Sequence, residues 1–171
     1  MVAFPFRMGA GFPGDVNRTH PVSIEPGLID ASAPPQNYGV PVILDATTQG
    51  FRPFTTGDTA VTTAYGITVR PFPTQQSTGG AQSLIGGATP PQSGIQDVMR
   101  LGYIMVQIPA GQSVKKGGAV FVWCAASSGA HVQGNFEGAS SGGNTASLGA
   151  LFQFNGPADA NGVTEVIMSP Q

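Results

Sequence analysis

A chain of 171 residues with a formal net charge of −2 is long enough to bury one core of its own, and copies of it repel each other only weakly. Asp, Glu, Lys and Arg make up only 9% of it, and its seven basic residues are scattered singly apart from Lys115-Lys116, which excludes a nucleic-acid footprint and a polybasic membrane contact. The 25 glycines and 15 prolines belong with disorder but the 40% hydrophobic content does not, and many short strands joined by Gly/Pro turns reconcile the two.

Residues 1–39 read as an extended arm. Pro5, Pro13, Pro21, Pro26, Pro34 and Pro35 fix φ and remove donors, so neither a helix nor a central strand is expected here. The arm nonetheless carries Phe4, Phe6, Phe12, Leu28 and Ile29; spaced apolar groups without a core of their own lie on something, either this domain or a neighbour. No continuous apolar stretch marks an export signal or a membrane span, so the expectation is synthesis in the cytosol without export by that route.

The β pattern begins at Val40 and defines a domain over residues 40–171. Val40 to Leu44, the loop D-A-T-T-Q-G and Phe51 to Phe54 form a hairpin closed by Gly50. G-D-T-A-V-T-T-A allows one helical turn and is too β-branched for more. From Tyr65 to Arg70 the alternation points Tyr65, Ile67 and Val69 inward and Thr68 and Arg70 outward, and Pro71 closes the strand. A long irregular loop is expected over 73–99, and a loop of that length inside a compact domain is functional or disordered.

Leu101 to Cys124 reads as two strands joined by a Pro/Gly/Lys turn. Both are apolar on both faces, so both faces need a cover. Ile104, Val106, Val120 and Val122 belong to the core, matched by Tyr65, Val132, Phe152 and Val166; Tyr103, Met105, Phe121 and Trp123 need a second cover, from this fold or a partner. Lys115-Lys116 reads as a solubilising tip, with partner contact as the minority alternative. Cys124, the single cysteine, excludes an internal disulfide and reads as a small buried hydrophobe.

Ala130 to Phe136 reads as a strand with Val132 and Phe136 inward and His131, Gln133 and Asn135 in solvent. A Ser/Gly loop follows, then Leu151 to Asn155 with Phe152 and Phe154 on one face. The Asn161-Gly162 turn sends Val163 to Met168 back as the last strand. About eight strands and no long helix define an all-β fold, a single Greek-key or jelly-roll-like barrel or sandwich.

Two motifs with chemical meaning occur and neither has its context. Gly9-Ala10-Gly11-Phe12-Pro13-Gly14 matches G-x-G-x-x-G without the preceding strand and following helix that a dinucleotide site requires. Gly138-Ala139-Ser140-Ser141-Gly142 matches G-x-S-x-G inside a Ser/Gly stretch, with His131 as the one nearby base. His20 and His131 lack partners at metal-ligand spacing, and no carboxylate pair stands out for acid/base work. No catalytic residue, metal or cofactor is expected.

P-G-D-V-N-R from residue 13, I-E-P-G-L-I-D at 24–30, F-R-P at 51–53, G-D-T-A at 57–60, Y-G-I-T-V-R-P-F-P-T-Q at 65–75, D-V-M-R-L-G-Y at 97–103, K-G-G-A-V-F-V at 116–122 and G-P-A-D-A-N-G-V-T-E-V at 156–166 together resemble the structural cement, or capsid decoration, proteins of tailed bacteriophages. The resemblance runs in order from Gly14 to Met168. It implies a non-enzymatic β protein on the outside of a virion head that ties neighbouring major capsid protein subunits together. Self-association as a homodimer, or a trimer as second choice, fits the low charge. Candidate partner contacts are Phe4, Phe6, Arg7, Arg18, Tyr103, Lys115, Lys116, Phe121 and Trp123. The alternative from another class is a β-sandwich module that binds carbohydrate or a host surface.

Overall fold

The computed structural model describes residues 11–18, 20–71 and 90–169. Ten strands form: β1 (Ser23–Leu28), β2 (Pro41–Leu44), β3 (Phe51–Pro53), β4 (Gly66–Thr68), β5 (Ile95–Gln107), β6 (Phe121–Trp123), β7 (Phe136–Glu137), β8 (Thr145–Ser147), β9 (Phe152–Phe154) and β10 (Val163–Met168). All pairings between them are antiparallel. They build a seven-stranded sheet, order β3-β2-β4-β5-β10-β9 with β1 also on β5, and a three-stranded sheet, order β7-β6-β8. The fold is therefore all-β as expected. It is a two-sheet sandwich; of the two architectures the sequence allowed, the closed barrel is not formed.

One core lies between the sheets. The larger contributes Ile67, Met99, Ile104, Val106, Phe152, Phe154, Val166 and Met168, the smaller Val122, Phe136 and Ala146, and Val120 and Leu148 lie beside them. Phe54, Phe136, Phe152 and Phe154 are all but sealed from water. Each such side chain contributes about 1.5–3 kcal/mol of hydrophobic transfer before ordering costs. An Ala119–Gln153 bridge, with Phe154 N–H donating to the Gly118 carbonyl, joins one sheet to the other.

β5 is the spine. Its odd-numbered residues bond along one edge, to β4 and then to the arm: Val69 N–H donates to Asp97, and Gly14 N–H donates to Met105, whose own N–H donates to Asp15. Its even-numbered side takes β1 over Ile95–Leu101 and β10 over Gly102–Gln107. The arm is thus partly built into the fold. Pro26 is tolerated in β1 because Gly27 and Ile29 carry the donors on the β5 side, leaving the missing N–H of Pro26 on the free edge.

Beyond β1, Ile29 bridges to Phe51 of β3, so the large sheet curls around a second, smaller core of Val42, Phe51 and Val98 with Tyr65 at its margin. Glycine is required where β1 crosses it. A Cβ on Gly27 would lie 2.0 Å from Cε2 of Phe51.

Several local expectations are corrected. Leu101 to Cys124 is not a hairpin: β5 and β6 belong to different sheets, because each finds a longer or better matched partner elsewhere, β10 for β5 and β8 for β6. The long loop ends earlier than 99, since β5 begins at Ile95; residues 73–89 lie outside the described structure. Thr68 points into a buried site, where Val40 N–H donates to its hydroxyl at 3.1 Å. Val132 is 38% exposed, because residues 128–131 make a tight turn in place of a strand. β8 forms in the stretch read as a Ser/Gly loop.

Candidate functional site

The outer face of the large sheet holds the first cluster of expected contacts. Arg18 forms a two-pronged pair with Glu165 of β10, Nη2 to Oε2 at 2.7 Å and Nε to Oε1 at 3.1 Å. Its guanidinium lies 4.3 Å from the centroid of the Tyr103 ring, and Asn155 Nδ2 also donates to Glu165. A guanidinium held by a fork and a ring is fixed in direction. Arg18 and Tyr103 therefore anchor the arm onto β5 and β10. On the same face Met105 is buried under the backbone of Gly11 to Gly14 and Gly39, so its second cover comes from its own chain.

The outer face of the small sheet holds the second cluster. Lys115 and Lys116 stand exposed on a turn that Gly118 N–H closes onto the Lys115 carbonyl and that Gly117 N–H pins to Phe154. Beside it a cavity of about 260 Å³ is lined by Ser113, Val114, Lys115, Phe121, Gly138 and Phe154. Phe121 is half-buried at its wall. Phe4, Phe6 and Arg7 lie outside the described residues.

Trp123 is buried by a residue expected in solvent. His131 stacks on its indole, ring centroids 4.2 Å apart and planes within 15°, and Trp123 Nε1 donates to the Ala126 carbonyl at 3.1 Å. His131 Nδ1 lies 2.8 Å from Oε1 of Glu137. Glu137 is 1% exposed, Gln112 Nε2 donates to its other oxygen, and Gly138 N–H donates to Gln112 Oε1 at 2.6 Å. A buried carboxylate is tolerated only with partners of this kind. Strand parity failed to place His131 because Ser128 and His131 exchange both backbone bonds around Gly129-Ala130, which turns the ring back over β6.

A third cluster closes one end of the second core. Tyr65 Oη donates to Glu25 Oε1, Arg100 Nε lies 3.4 Å from the same carboxylate, and the Arg100 guanidinium sits 3.7 Å from the Tyr65 centroid. The hydrogen bond to Glu25, with burial behind it, pushes the Tyr65 phenol above its ordinary value. Nothing in the sequence pattern signals this trio, because Glu25 and Tyr65 are brought together only by the β1–β5–β4 pairing.

Ser140 of the G-x-S-x-G match is exposed in the loop after β7, and Cys124 is buried, which pushes its thiol above the ordinary value. Among the described residues no group of three or more His, Cys, Asp or Glu comes together around a metal-sized site. A groove made of two adjoining cavities, of about 140 and 290 Å³, is lined at their junction by the amides Asn37, Gln107 and Asn135.

The polar side chains of these clusters pair with groups of their own chain, while Lys115 and Lys116 stand exposed at the surface. The chain belongs to the structural cement protein family: the model of that family, described as Structural cement protein (E217 gp24/Pam3 gp6), matches residues 3–168. It is thus a structural protein of a phage virion, located at the capsid. A solved chain from the capsid of Myoviridae phage XM1 has a similar fold, with a TM-score of 0.67 at 18% identity over 98% of this chain and 95% of that one. No curated protein matches the sequence.

Proposed function

We propose that this protein binds the outer surface of a phage head and stabilises it by bridging neighbouring major capsid protein subunits, without catalysing a reaction. The observation that carries this reading is the family match over residues 3–168. The build of the molecule supports it. Two sheets with separate outer faces offer contacts in two directions, and a weak contact repeated over a lattice gains from multivalency what it lacks singly. The proposed contacts are Lys115, Lys116 and Phe121 at the small sheet, with Trp123 further along β6 under His131, Arg18 and Tyr103 on the large sheet, and Phe4, Phe6 and Arg7 in the arm. Self-association as a dimer, or second a trimer, accompanies this role.

The test is thermal. Heads assembled without the protein release DNA at a lower temperature than complete heads, and restoring purified protein restores the difference. Identical release temperatures would remove the bridging role.

A second reading, a carbohydrate- or host-surface-binding module, rests on the groove of Asn37, Gln107 and Asn135, whose amides can both donate to and accept from hydroxyl groups. Binding of isolated protein to a glycan panel, lost in Asn135→Ala, favours it over the first.

A further inference from the structure

The seven-stranded sheet is larger than the three-stranded sheet that covers it, and its core face emerges from under the cover at the β1–β5 end. On β5, Met99 is fully buried in the main core, whereas Ile95 and Asp97, on the same face by strand parity, are exposed. β1 continues that face, with Leu28 directly opposite Ile95, Pro26 opposite Asp97 and Ile24 opposite Met99. Leu28 is 62% exposed, Ile95 67% and Ile24 42%. A Leu–Ile cross-strand pair left mostly in water is unusual for a face that becomes core at Met99, four residues further along.

We propose that this overhang is where a capsid subunit seats, presenting an apolar surface to Leu28, Ile95 and Ile24 and a Lys or Arg to Asp97. The inference rests on the capsid-binding reading above and assigns that binding to a place. Charge selects the occupant. A second copy meeting the patch with its own patch would set Asp97 against Asp97 and bring no cation. The chain's described arginines are already engaged: Arg18 with Glu165, Arg52 with Asp58, Arg70 over Phe12 and Arg100 with Glu25. Lys115 and Lys116 stand on the turn beside β9 of the other edge. Strand addition between copies along the free edge of β1 is interrupted at its centre, where Pro26 offers no N–H. A foreign surface with its own cation meets none of these obstacles, and the patch forms the apolar centre of a contact with a polar rim.

The experiment is co-sedimentation of the purified full chain with heads of its own phage assembled without it. Leu28→Asp/Ile95→Asp and, separately, Asp97→Lys are compared with wild type, each checked by circular dichroism. Both variants are expected to bind about tenfold or more weakly. Should the double variant fail to fold, Asp97→Lys, at an exposed polar position, decides alone. Wild-type binding alongside unchanged binding of the folded variants overturns the overhang assignment. So does loss of a wild-type dimer in sedimentation velocity with head binding intact, which would mark a contact between copies. Wild type that fails to sediment with heads defeats the capsid-binding reading itself.

Discussion

His131 Nδ1 lies 2.8 Å from Oε1 of Glu137, and the imidazole that makes this contact also roofs Trp123. One side chain therefore closes two buried groups of opposite character, a carboxylate and an indole. The chain has a single tryptophan, so its fluorescence reports this roof alone. In His131→Ala the emission is expected to shift to the red and its quenching by iodide to increase, while the far-ultraviolet dichroism stays unchanged. Emission identical to wild type would show that the ring does not shield Trp123 in solution.

Truncating the carboxylate is costlier. Glu137→Ala leaves Gln112 and His131 facing an empty buried site, and an unpaired buried polar group costs about 1–3 kcal/mol. With the lost packing included, urea unfolding should show a loss of about 2–4 kcal/mol. A loss within error of zero would mean that the cluster is not sealed.

β1 crosses Phe51 at Gly27, where a Cβ would come 2.0 Å from the ring. Gly27→Ala is therefore expected to lower stability by about 1–3 kcal/mol. Shortening the ring makes room, so Phe51→Leu in the same chain should recover part of that loss. A double-mutant cycle with no coupling between the two positions contradicts the contact.

Asp58 accepts Arg52 Nη1 at 2.8 Å and both the N–H and the hydroxyl of Thr55, at 2.7 and 2.8 Å. Burial alone would raise its carboxyl, but Arg52 and Thr55 together hold it below the ordinary value. A depressed native value stabilises the fold above the unfolded one, about pH 3.9, and that share is lost as pH falls through the native value. Wild type should lose stability below about pH 4, and Asp58→Asn should be less stable at neutral pH with a flatter acid limb. Parallel acid limbs would show that other carboxylates dominate.

Among the described residues, the bonds that tie the arm to the sheet begin with Gly14 and Asp15 on Met105. Removing residues 1–10 is expected to leave circular dichroism and unfolding midpoint unchanged while weakening attachment to heads. A lowered midpoint would assign those residues to the fold.

What the sequence disclosed was local. β2 and β3 around their Gly50 turn, β9 with its paired phenylalanines and β10 after Asn161-Gly162 each carry alternation and turn chemistry within a dozen residues. Gly162, at φ 80°, adopts the left-handed conformation such a turn requires. β1 was hidden because Pro26 reads as a strand breaker unless its N–H is known to face an edge, and β8 because three residues in a Ser/Gly run carry no period. The false hairpin between β5 and β6 arose from adjacency, whereas pairing is decided by partners far along the chain, as in Val163 with Gln107 and Ser23 with Leu101. Among expected contacts, Lys115 and Lys116 are exposed as read. Arg18 engages Glu165, which no spacing announces, and the Leu28–Ile95 pair needed the register to be seen.

β5 is gripped on one edge by Gly14 and Asp15, close to the start of the described chain, and on the other by β10, close to its end. A pull on either end of the described chain therefore arrives at the same strand, through the bonds of Gly14 and Asp15 or those of β10. In the bridging role proposed above, this is a load path that bypasses the loops and the small sheet. Tension at the ends is carried through a single thirteen-residue strand, Ile95–Gln107, at the centre of the larger sheet.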